Sequence, residues 1–155
     1  MTKERLNEVR KAVEILSKIS DEEWKFLEQL LEDDVILNKN KCALERKKVT
    51  RLMKELGIPH KDKGFHYLRA TLLYYMRAED TSKILITREV YPKIAKEFKK
   101  SASSVERAIR VALESVCKTN NPKVQEIFGD LDRYKKGVPS NGEGIALLVE
   151  YLLRN

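Results

Sequence analysis

Arg107 and Arg110 stand three residues apart in the run Ser103-Ser104-Val105-Glu106-Arg107-Ala108-Ile109-Arg110, a spacing that puts both on one side of a helix. An arginine guanidinium can fork onto guanine O6 and N7, a glutamate can accept from cytosine N4, and a serine or a backbone amide can hold a phosphate. That chemistry needs an exposed helical face. At 100° per residue, Val105, Ile109, Ala112 and Val116 fall on one side. Ser104, Arg107, Arg110, Val111, Glu114 and Lys118 fall on the other. Glu106 has two local uses: it can close a capping box with Ser103, or pair with Arg110 one turn on.

A second element must hold such a helix against its partner. Tyr91-Pro92 to Phe98 reads as a short helix, and Lys99-Lys100-Ser101-Ala102 as a tight polar turn leading into a longer helix from about Ser103 to Cys117. Short helix, turn and longer helix are the parts of a helix-turn-helix. Around them the apolar spacing predicts helices throughout. Val9, Val13, Leu16 and Ile19 mark a first helix; Ser20 and Glu23 form a capping-box signature ahead of Trp24, Leu27, Leu30 and Leu31. Glu32-Asp33-Asp34 and Asn38-Lys39-Asn40-Lys41 read as a boundary, making residues 1–40 a helical hairpin and residues 41–155 the body. In the body, the stripe Val49, Leu52, Met53, Leu56 stops at Gly57, and Lys63-Gly64 reads as a break before Phe65 to Met76. A short helix ends at Phe128-Gly129, and a Ser140–Glu143 capping box opens a last helix with Ile145, Leu148, Val149 and Leu152. The expected fold class is all-α, with no strand alternation.

Charge divides the chain at the same place. Residues 1–40 hold 7 Lys/Arg against 10 Asp/Glu, a net of −3, whereas residues 41–155 hold 24 against 14, a net of +10. A basic body suits a polyanion. No apolar run approaches the roughly 18 residues of a membrane span, and the charged start Met1 to Arg5 leads into no signal-peptide core. Cys42 and Cys117 lie far apart and read as reduced thiols, so a cytoplasmic protein is expected. His60 and His66 have no third ligand placed by spacing, and Tyr67, Tyr74, Tyr75 and Tyr91 read as core residues before stacking platforms. No phosphate loop, nucleophile motif or paired catalytic carboxylates appear. The expectation is therefore no enzyme, no metal and no cofactor.

The run Tyr91-Pro92-x-Ile94-Ala95-Lys96-x-Phe98, then Ala102-Ser103-x-Val105-Glu106-Arg107-Ala108-Ile109-Arg110, resembles the effector domain of the sporulation initiation master regulator family. So do Leu56-Gly57-Ile58-Pro59 and Lys63-Gly64-x-x-Tyr67-Leu68-Arg69 upstream, and Phe128-Gly129 and Pro139-Ser140-Asn141-x-Glu143-x-Ile145-Ala146 downstream. The resemblance covers roughly residues 45–155, in order. It implies a multi-helix helix-turn-helix unit that binds short promoter boxes, with Glu106 and Arg107 reading bases and Arg110 facing DNA beside them. The family usually has Arg at the position of Ser104 and His at that of Val111, so the resemblance implies a shifted box. It normally joins this domain to a phosphorylatable α/β receiver, which forty helical residues cannot build.

The expected function is sequence-specific binding of double-stranded DNA by a transcription regulator, with Glu106, Arg107 and Arg110 in the major groove. Lys99, Lys100, Ser103 and Ser104 would hold the backbone. The rival reading is a protein-interaction module that keeps the fold and antagonises a regulator. For residues 1–40 the apolar stripes leave open a lid on the body, a homodimer interface or a protein-partner surface, none involving a membrane.

Overall fold

The computed structural model describes residues 2–155; Met1, counted in the expected hairpin, lies outside them. The described residues form seven α-helices and no strand: α1 (Lys3–Leu16), α2 (Asp21–Glu55), α3 (Lys63–Arg77), α4 (Tyr91–Phe98), α5 (Ala102–Cys117), α6 (Pro122–Phe128) and α7 (Asn141–Arg154). Short 3-10 turns stand at Thr81–Lys83 and Leu131–Arg133, and a π-helical turn at Ile86–Val90 runs into α4. The chain divides into two compact units, Met1–Ala43 and Leu44–Asn155.

In the first unit the two expected helices are present. The Thr2 hydroxyl caps α1 by accepting from the Arg5 amide at 3.3 Å. Ser20 and Glu23 form the predicted box: the Ser20 amide donates to the Glu23 carboxylate at 2.8 Å, and the Glu23 amide donates back to the Ser20 hydroxyl at 3.3 Å. The expected boundary at 38–41 is not a break in the backbone. The helix that starts at Asp21 continues to Glu55, because Asn and Lys cost a helix only tenths of a kcal/mol each and neither Gly nor Pro intervenes.

The second unit holds the core. Val49, Met53, Phe65, Leu68, Leu72, Val105, Ile109, Phe128, Ile145 and Leu148 are all fully buried, each worth about 1.5–3 kcal/mol in area removed from water. Gly57 ends α2 as expected. With a φ of 78°, it lets its own amide bond the Lys54 carbonyl at 3.0 Å and the Ile58 amide bond Met53 at 3.1 Å, a Schellman cap. Gly64 differs from expectation. It lies inside the first turn of α3, buried, and a Cβ there would stand 2.6 Å from the Ala108 carbonyl oxygen and 3.0 Å from the Ala112 Cβ. The glycine therefore marks where α3 and α5 touch backbone to backbone. The α7 box is formed as predicted, the Ser140 amide donating to Glu143 at 3.0 Å.

Candidate DNA interface

α4 packs on α5, and α5 on α3 and α7, so three helices hold the candidate helix from behind. Val105, Ile109, Ala112 and Val116 are buried as the periodicity requires, joined by Leu113 and Cys117. Burial raises the Cys117 thiol pKa above its ordinary value, as for an inert core thiol. The turn between α4 and α5 is tight because Lys99 adopts a left-handed conformation, φ 53° and ψ 48°. Its amide donates to the Lys96 carbonyl at 3.3 Å, and the Lys100 amide to Ala95 at 2.8 Å. This is the same cap as at Gly57, built with a residue that pays for the conformation sterically.

The expected Ser103–Glu106 box is absent. α5 begins at Ala102, and the cap is Ser101, whose hydroxyl accepts from the Ser104 amide at 3.2 Å. Ser101 comes first along the chain and already has extended backbone, which the cap position needs. Its oxygen also lies 3.2 Å from the Ser103 hydroxyl and 2.7 Å from that of Ser104. Glu106 takes its other predicted course and pairs with Arg110 one turn on.

The seven candidate residues occupy one continuous stretch, residues 99–110. Lys99, Lys100, Ser103, Ser104, Arg107 and Arg110 are exposed, and Glu106 is half-exposed. Arg107 makes no ion pair among the described residues, so its five donors face outward uncommitted. Val111, also outward, is 55% exposed. Behind this face, the Asn141 side-chain amide donates to the Glu106 carbonyl and to the Tyr91 hydroxyl, both at 3.0 Å. One side chain thus fastens α5 to α7 and α4 at the level of the exposed arginine.

Beside α5 runs a groove of about 570 Å³, walled by Ser104, Arg107 and Val111 on one side and by Ile58, Lys61, Asp62 and Lys63 on the other. Lys61 and Lys63 are exposed and were missed in the sequence, where they look like an ordinary polar turn before α3. The basic tripeptide Lys61-Asp62-Lys63 was the available signal. His60, His66 and Phe65 form a small ring cluster, His60 tilted on Phe65 with centroids 4.7 Å apart and His66 edge-on to both. Tyr67, Tyr75 and Tyr91 are core residues, whereas Tyr74 is half-buried and bonds Glu89 at 2.5 Å.

An all-α body that presents an exposed, arginine-bearing helix behind a tight turn with two lysines and a shorter packed helix has the parts of a helix-turn-helix DNA-binding domain. Residues 49–152 match the family described as sporulation initiation factor Spo0A C terminal, and the chain belongs to that family. It is a family of DNA-binding regulators of sporulation, not of enzymes. Among the described residues no helix is long and apolar enough to cross a membrane.

Proposed function

We propose that the protein is a sequence-specific regulator that reads duplex DNA through α5 and does so without aspartyl-phosphate control from residues 1–48. The observation that carries this reading is the uncommitted Arg107 on an exposed helical face whose other side is core. Arg107 forks a base in the major groove. Glu106 and Arg110, already paired, present a fixed acceptor and donor beside it. Lys99, Lys100, Ser103 and Ser104 hold one phosphate strand, and Lys61 and Lys63 across the groove hold another. Ser104 shortens the reach at a position where the resemblance implies Arg, so Ser104→Arg should move the preferred box toward the family's. An unchanged box in a binding-site selection would show that position 104 does not read sequence.

The test of the whole reading is a titration of the protein against random and selected duplexes at two salt concentrations. A preference of about 10³-fold or more for a selected site, with affinity falling as salt rises, is the expected result. Equal affinity for every duplex would leave the rival reading, a fold kept for protein contact.

A further inference from the structure

Residues 2–44 contain no buried residue. Yet α1 and the first half of α2 carry Leu6, Val9, Val13, Leu16, Trp24, Phe26, Leu30, Leu31, Val35, Ile36 and Leu37, with exposures from 38% at Leu6 to 66% at Phe26, Leu31 and Leu37. Between Trp24 and Leu37, Trp24, Phe26, Leu30, Leu31, Val35 and Leu37 lie within about half the circumference of α2, with Ile36 off that face. A helix with so much apolar surface in water is unfinished.

The charges on α2 say what finishes it. Residues 21–34 hold seven Asp/Glu and one basic residue, Lys25. Residues 35–54 hold seven Lys/Arg and one acidic residue, Glu45. The helix is therefore a charge mirror about its own middle. Laid parallel on a second α2, acid meets acid and base meets base. Laid antiparallel, each acidic half meets the partner's basic half, and a two-fold axis makes both contacts alike. The helix dipole points the same way, since antiparallel neighbours set each positive end beside a negative one.

We infer that the apolar face of α2 is the interface of a homodimer, formed by antiparallel pairing of α2 with a second copy of this chain. The occupant is self rather than a foreign helix because one sequence supplies both complementary halves in equal number. The pairing does not depend on DNA binding and goes beyond the reading above by joining two copies of α5 in one molecule.

Sedimentation of the full chain across a range of concentrations should show a species of twice the 18.0 kDa chain mass. Two charge variants test the direction of pairing. Glu28→Lys/Glu32→Lys and Lys47→Glu/Lys48→Glu each set like charges together in an antiparallel pair, and each should weaken dimerisation about tenfold or more. Mixed one to one, they restore complementarity at both ends and should form a heterodimer as tight as the wild type. Cys42 gives the orientation separately. Parallel chains would hold the two Cys42 thiols side by side, whereas an antiparallel pair holds them apart. Mild oxidation of the dimer should thus give no Cys42–Cys42 cross-link in a Cys117→Ser background. Leu30→Glu/Leu37→Glu removes the apolar seam and should give a monomer with its helical circular dichroism retained. A monomeric wild type at every concentration, a mixture that fails to associate, or a rapid Cys42 cross-link would overturn the inference.

Discussion

Arg107 and Lys100 stand seven residues apart and should fail in different ways. Arg107→Ala removes a fork with no ion-pair partner among the described residues, and should cost about 1–3 kcal/mol on the preferred site while relaxing preference at one base pair. Lys100→Ala removes a point charge from the turn, and should weaken all duplexes alike and flatten the salt slope by about one unit. Parallel titrations on selected and random DNA separate the two, and equal losses for Arg107→Ala would remove it from base reading. Lys99 poses the opposite problem. Its left-handed φ of 53° costs roughly 1–2 kcal/mol that a glycine would not pay, so Lys99→Gly should raise the melting temperature while lowering affinity for every duplex. A variant that melts lower would show that the lysine side chain holds the turn.

At the scale of the element, the cap of α5 decides where that helix begins. Ser101→Ala should cost about 1 kcal/mol of stability, and Ser103→Ala a small fraction of that, because the Ser103 hydroxyl bonds no backbone amide. Denaturant midpoints of the two variants measure the difference, and a larger loss at Ser103 would restore the box read from sequence. That misplacement shows what the sequence could carry. Period was legible wherever a helix buries one face, at the stripe Val49 to Leu56 and on the buried side of α5, and the cap at Ser140–Glu143 stands where the residue pattern put it. From sequence the cap falls at Ser103, whereas Ser101, with the same local chemistry two residues earlier, takes it in the structure. Gly64 looked like a break. Glycine signals freedom in a sequence, whereas here it records the Ala108 backbone arriving from 44 residues away. Lys61 and Lys63 went unread because they join the groove only once α5 lies beside them.

At the scale of the molecule, the first buried residue among those described is Val49, and none of residues 2–48 is buried in the core. Deleting residues 1–40 should leave a cooperatively unfolding body whose melting temperature no longer depends on protein concentration. It should also remove a net charge of −3, raising affinity for random DNA at low salt. Calorimetry of the truncated chain checks the first point, and loss of the cooperative transition would show that the leading helices support the core. The crossing at Gly64 has a further consequence, for how this domain can change over evolutionary time. The constraint on α5 falls on Ala108 and Ala112, whose atoms meet the position where a Gly64 side chain would be. Positions 103, 104, 107, 110 and 111 face solvent and carry none of it. A lineage can therefore change the exposed face of α5 one position at a time, while the hinge pin of two small residues and one glycine stays fixed.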